Sequence, residues 1–590
     1  MKIFITLITL SLSTAVFSNE NKVIELHSNQ TLDQIVLNQE NIVTEDNNEN
    51  KTISETENIN DDNNSQLVLQ EENTVEIASI ESKEIFFSKI NLIQVNQILN
   101  NAKNIKSKTL QNEFNSFLTN LNLDHDEINN RSIFHSIVKY FYNIGQISKS
   151  YILLNTKAVE DDEYLNFYNI LRINYLLSTS QLESACNFKN ELNIEINLQN
   201  NFIDKLEIFC LIVQGKESEA QLLNSIMLET EVSIDKNFQQ LFDILLNNKN
   251  NETFKKELLK ENYNVDLIFL YSAMARIAEV ALNEEFLKVD PLNLAIPIIL
   301  NKSTSIDLRL KAANNSFLNG DISKESLAAL YQSVDFNSGE LNKPDETIKN
   351  LSNNIELLMA FHFQFINIQI FPSERLEALI NFWNFSKKYN LDSIAFALTD
   401  SIANSIDINI EYLNYSPQIA MSYINNNNIQ KAEEWITFYE QINGVDDYST
   451  LVNILINFHS SSDLNAIIEI MNKYYEDLIN LSVDDNEELF FILSTILLNE
   501  NLTNLEDNFE KIYDDRQNTT LYITENIQAA INNNEENKFL IYSIISLNNK
   551  EWIEIHPSHL KLILKGFSEY KNGILFKDII LEIFNNYKLL

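Results

Sequence analysis

Turn-forming residues are scarce in this chain: 7 glycines and 6 prolines occur in 590 residues, where an average chain carries roughly 12% of the two together. Sandwiches and barrels need such residues every few positions, so an all-β fold is excluded. From about Glu84 to Leu590, apolar residues recur at helical spacing in stretches such as SIVKYFYNIG, FYNILRINYLL, KLEIFCLIVQG and FKDIILEIF. Short polar turns separate them. This pattern predicts an all-α region built of helical hairpins.

The glycines that do occur are placed with a period. GQISKS (145–150), SQLESA (180–185) and GKESEA (215–220) align so that Gly145, Ser180 and Gly215 stand 35 residues apart, as do Ser150, Ala185 and Ala220. Glycine ends a helix cheaply because the left-handed conformation there costs it no Cβ clash. Serine fills the same place less cheaply, as a polar turn residue. A small residue five positions later, in the first turn of the next helix, lets two backbones approach. NNIQKA (427–432), SSDLNA (461–466) and the looser NGDISKES (319–326) echo the pattern.

A helix–turn–helix unit of this length resembles the tetratricopeptide repeat, although the early Trp and the closing Pro of that family are missing. The resemblance implies a right-handed α-solenoid of TPR-like hairpins. ACNF…KLEIFCLIVQGKESEAQLL (185–223) and RLKAANNSFLNGDISKESLAALY (309–331) also resemble a group of secreted alphaproteobacterial helical-repeat proteins of uncharacterised activity. That likeness implies architecture and no chemistry.

Other segments set the expected domain order. MKIFITLITLSLSTAVFSNEN has a basic Lys2, an uncharged apolar run and small residues before Asn19. It reads as a cleaved signal peptide, 1–18. Residues 19–83 carry 15 acidic and 3 basic side chains among Asn, Ser and Thr, and read as a disordered acidic linker. Two helical-repeat lobes follow, 84–340 and 341–590, with a weak break at FNSGELNKPDETIKN (336–350). LLMAFHFQFINIQIF (357–371) is uncharged but too short to span a bilayer, and reads as a core helix.

Cys186 and Cys210 are the only cysteines. In the repeat scheme they lie on two antiparallel neighbouring helices joined near 195–199, at matching heights from that turn. An even pair in an exported chain is a disulfide candidate; two buried free thiols are the alternative.

The net charge of −41 repels phosphates, which argues against nucleic acid and anionic lipid as partners; no segment after the signal peptide is long and apolar enough to span a bilayer, so no membrane insertion is expected after signal cleavage. No metal-ligating, cofactor-binding or catalytic residues are assigned. The seven histidines, His27, His125, His135, His362, His459, His556 and His559, are scattered. HPSH (556–559) has Pro where a zinc-binding HExxH helix needs continuity. DHDE (124–127), DDE (161–163) and VDDNEE (483–488) lack the spacing and central glycine of a calcium loop, and read as acidic turns. There is no glycine-rich phosphate loop, no GxSxG and no CxxC. Trp383, Trp435 and Trp552 sit in apolar helical runs and read as core.

Stacked hairpins make extended concave surfaces that bind proteins or peptides. The expected function is therefore a non-enzymatic scaffold or adaptor, in the periplasm or secreted, with a protein or peptide partner in the cell envelope. The alternative is the superhelical part, or the regulator, of a peptidoglycan-acting enzyme. Lytic transglycosylases carry such superhelices, but their catalytic lobe needs a glutamate in a glycine-containing setting. The last 150 residues hold only Gly444, Gly566 and Gly573, none in such a setting.

Overall fold

A computed structural model describes residues 92–121, 123, 128–157, 162–191, 202–230, 234–247, 258–259, 264–460, 516 and 519–586. The signal-peptide and linker readings, 1–18 and 19–83, fall outside these residues. So do SSDLNA (461–466), DHDE (124–127) and VDDNEE (483–488).

Every regular element among the described residues is helical, as the scarcity of breakers requires, and no strand occurs. The first helices are α1 (Leu92–Ala102), α2 (Lys108–Thr119), α3 (Ile128–Asn143), α4 (Ile147–Lys157), α5 (Leu165–Ser178) and α6 (Leu182–Glu191). The chain goes on through α7 (Phe202–Val213), α8 (Glu217–Thr230), α9 (Lys236–Asn247), α10 (Ile268–Ile277), α11 (Glu284–Val289), α12 (Ala295–Leu300), α13 (Ile306–Asn319) and α14 (Lys324–Gln332). The weak break holds two short helices, α15 (Ser338–Leu341) and α16 (Pro344–Asn350). Then come α17 (Ile355–Ile368), α18 (Pro372–Lys388), α19 (Asp392–Ala403), α20 (Ser416–Asn425), α21 (Ile429–Asn443) and α22 (Asp447–Ser460). The last four are α23 (Leu521–Asn532), α24 (Glu536–Leu547), α25 (Pro557–Glu569) and α26 (Ile574–Asn586).

Helices consecutive in sequence pack on one another, from α3 through α8 and again from α17 through α22. One continuous apolar cluster threads them from Val95 to Ile583. Across the weak break, α14 packs against both α17 and α19. The core takes up Trp383, Trp435 and Trp552, all buried, and the indole N–H of Trp383 donates to Thr399 Oγ1 at 3.0 Å.

The periodic turns share one geometry. Gly145, Ser180 and Gly215 have φ of +82°, +66° and +75°. At each, the next residue's N–H reaches back five residues: Gln146 to Phe141 O at 2.9 Å, Gln181 to Leu176 O and Lys216 to Leu211 O at 2.8 Å. These are Schellman caps, which satisfy carbonyls that the helix end leaves open. Five residues on, Ser150, Ala185 and Ala220 are fully buried. The hydroxyl of Ser150 donates to Val138 O at 3.0 Å and ties α4 to α3. Gly320, Asn390 and Asn427 repeat the cap at φ of +81°, +58° and +59°. Ala395 and Ala432, five beyond the two asparagines, are also fully buried.

The ends of the described stack meet. α26 packs on α2 and α22, and α24 packs on α1. Glu582 of α26 accepts from Ser107 Oγ and Lys108 N at 2.9 Å and from Thr109 N at 3.3 Å. Glu113 of α2 accepts from Tyr570 Oη at 2.8 Å and Lys571 Nζ at 2.6 Å. A further long-range tie joins the α3–α4 turn to the segment before α12, where Asn293 Nδ2 donates to Tyr142 O at 2.8 Å.

Candidate binding cleft

The sequence-selected residues are structural. Cys186 of α6 and Cys210 of α7 are joined as a disulfide, with Cα atoms 5.7 Å apart. Gly145, Ser180 and Gly215 close three successive hairpins and do not converge on a site. His556 caps the start of α25, where its ring accepts from Ser558 N and Pro557 takes the first helical position. His559 is buried with both ring nitrogens unpartnered. Asp162, of the DDE turn, accepts from Tyr164 N at 2.8 Å. Among the described residues no group of three or more His, Cys, Asp or Glu could hold a metal ion, and no helix is long and apolar enough to cross a membrane.

A cleft of about 530 Å³ opens between α16, α17 and α18. The sequence dictates its frame. Asn337 and Glu340 form a capping box that starts α15, and Thr347 Oγ1 donates to Glu340 O at 2.8 Å, folding α16 back on α15. Pro344 and Pro372 occupy the first position of α16 and α18, where a missing N–H costs nothing. Gln364 donates to Tyr331 O and Val334 O, both at 2.8 Å, and anchors α17 to the end of α14. Phe336 packs edge-on against Phe361 at 5.4 Å, seating the segment before α15.

The walls combine two chemistries. Leu341, Ile348 and Phe365 are half-buried and give an apolar lining, which Ile368 continues to the rim at 43% exposure. Asp345, Glu374 and Glu377 line the opening and are exposed. Asp345 and Glu374 sit in the first turns of α16 and α18, where the helix N-terminus favours a carboxylate. Among the described residues no lysine or arginine lines the cleft. His362 closes the floor at 7% exposure, stacked on Phe382 at 5.8 Å and tilted on Phe385 at 5.0 Å. Burial pushes its pKa down from 6.5 to about 4, so the ring is neutral at pH 7.

At the rim the reading of 357–371 as one core helix needs correction. α17 ends at Ile368, because a proline at 372 disfavours helical backbone before it. Ile370 and Phe371 then stand out at 78% and 62% exposure. Their backbone is held by Arg375, whose Nε and Nη2 donate to Gln369 O at 3.1 and 2.6 Å.

A second cleft, of about 430 Å³, lies between α1, α3 and Tyr164. Its aromatic surface is used internally: His135 stacks on Tyr164 at 3.9 Å and meets Phe167 edge-on at 5.0 Å. His135 Nδ1 is buried without a partner, and burial, aided by Lys139, lowers the ring's pKa against the pull of Asp162 and Glu163. Nothing in the sequence periodicity marks either cleft, since each is assembled from residues whose individual patterns read as ordinary helix faces. Compared with family models, curated proteins and solved structures, the chain matches none.

Proposed function

We propose that this protein is a non-enzymatic helical-repeat scaffold, a right-handed α-solenoid of TPR-like hairpins, exported to the periplasm or beyond. Its role is to hold a protein or peptide partner of the cell envelope. The observation that carries this reading is the cleft between α16, α17 and α18, whose apolar lining includes Leu341, Ile348, Phe365 and Ile368, with the exposed Ile370 and Phe371 following in the chain. Exposed aromatic and branched side chains beside a preformed concavity are the features by which proteins anchor peptide partners. The 35-residue spacing of Gly145, Ser180 and Gly215, each at a left-handed helix end, supports the repeat assignment.

A photoreactive amino acid at Asn381, exposed in the cleft lining, tests the reading in intact cells. One discrete adduct, absent when the probe sits at exposed Glu219, is expected. No adduct at Asn381 under saturating illumination would remove the basis for the reading. Release of soluble muropeptides from purified sacculi by the protein alone would replace it with an enzyme of the peptidoglycan.

A further inference from the structure

We infer that the occupant of this cleft is a cationic, amphipathic peptide segment of another protein; the inference rests on the scaffold reading above. Three observations select that chemistry. The first is the unspent apolar surface. Ile368 lines the cleft at 43% exposure, and Ile370 and Phe371, which follow it in the chain, are 78% and 62% exposed. Pro372 and the Arg375 fork on Gln369 O fix the backbone that carries them, so they are presented outward by a rigid turn.

The second is charge. Asp345 on one wall and Glu374 and Glu377 on the other make no ion pair or hydrogen bond with the described residues, and no lysine or arginine among the described residues lines the cleft. Glu374 and Glu377 are three apart on one helix, hence on one face. Two basic side chains of a bound segment can address that wall and one can address Asp345, while an apolar residue between them meets Phe365 and Ile368. The third is His362. It is more than nine-tenths buried, lines the floor, and its nitrogens have no hydrogen-bond partner among the described residues. A neutral imidazole there offers one donor and one acceptor to a peptide backbone.

Charge also excludes the nearer candidates. The chain's own segment 19–83, with 15 acidic and 3 basic residues, is repelled by the walls. A second copy carries −41, and anionic lipid is repelled in the same way. The cleft volume suits a short stretch of side chains and not a folded domain.

The test is titration of the mature full-length protein with fluorescent helical peptides of Lys/Leu, Glu/Leu and Ser/Leu composition, at physiological salt. The Lys/Leu peptide is expected to bind about tenfold or more tightly than the others. The D345N/E374Q/E377Q variant should lose about that factor. The E217Q/E219Q/E325Q variant removes equal charge from exposed sites on α8 and α14 and should change nothing. Matching circular dichroism and melting curves establish that both variants are folded. Equal weakening by the two triple variants would mean diffuse charge attraction and would overturn the proposal. So would preferential binding of the Ser/Leu or Glu/Leu peptide that I370S/F371S abolishes, but that result leaves the scaffold reading standing. If no peptide responds to the cleft variants, the cationic assignment falls, and the Asn381 adduct decides the scaffold reading separately.

Discussion

The carboxylate of Glu582 accepts the backbone N–H of Lys108 at 2.9 Å, across 474 residues of chain. The same carboxylate takes Ser107 Oγ and Thr109 N, so the last helix supplies the anion that the first turn of α2 lacks. Charge-assisted bonds to open helix N–H groups are worth about 1.5–3 kcal/mol where solvent is partly excluded. Glu582→Ala is expected to lower unfolding free energy by about 2 kcal/mol in urea titration. Amide exchange should accelerate first in α2. Uniform acceleration across the chain would argue against a local cap.

Two of the left-handed glycines, Gly145 and Gly215, should differ in cost. A Cβ at Gly215 meets nothing within 4 Å, whereas one at Gly145 would lie 2.1 Å from Leu292 Cβ. Gly215→Ala is expected to cost about 1 kcal/mol, the backbone penalty alone. Gly145→Ala should cost at least about 2 kcal/mol more, because either the turn or the 290–294 segment must move. Thermal melts of the pair give the ordering; equal losses would refute it.

Ser180 predicts the opposite sign. It holds φ +66° with a Cβ, and its hydroxyl is buried without a partner. Ser180→Gly relieves both and should raise stability by about 1 kcal/mol, against the greater freedom glycine gives the unfolded chain. Chemical denaturation with an unchanged slope would record it.

The Cys186–Cys210 bond closes a 24-residue loop. Chain-entropy arguments assign such a loop about 3 kcal/mol. The Cys186→Ser/Cys210→Ser double variant should lose about that much. Reductant should shift the native melt by a similar amount and leave the double variant unaffected.

Two sets of buried groups oppose each other in acid. Burial raises Asp321 to about 6, outweighing the pull of Lys149 and Lys108. Its folded pKa lies above the unfolded value, so its contribution is fully present below about pH 3.8 and is lost as pH rises through 6. Burial lowers His362 and His559 to about 4, with Lys550 and His556 adding to the shift at His559. Their contribution is present above pH 6.5 and is lost as pH falls through 4. Asp321→Asn should therefore gain stability relative to the parent as pH rises from 4 to 7. His559→Phe should flatten the loss on the acid side. Melting temperature against pH reads both.

Local features are legible in the sequence. Gly145, Ser180 and Gly215 announced their turns because left-handed backbone is decided by a residue and its immediate neighbours. The closure contacts, 457 to 475 residues apart in the chain, carry no such mark: Glu582 and Glu113 are two acids among 84, and only the path of the intervening helices brings them to α2 and Tyr570. The cleft was hidden for a related reason. The run 357–371 read as core because it is uncharged, yet Pro372 ends the helix early and turns Ile370 and Phe371 to solvent. Periodicity reports which face of a helix is apolar. It does not report where a neighbouring helix fails to cover that face.

An open row of repeats can lengthen or shorten by whole units, since each touches only its neighbours. A row whose final member clasps the second cannot. Adding or dropping one hairpin would displace α26 by roughly one helix spacing, about 10 Å, far beyond reach of Ser107. Relatives that keep the clasp should therefore vary in the connections between helices while conserving how many there are.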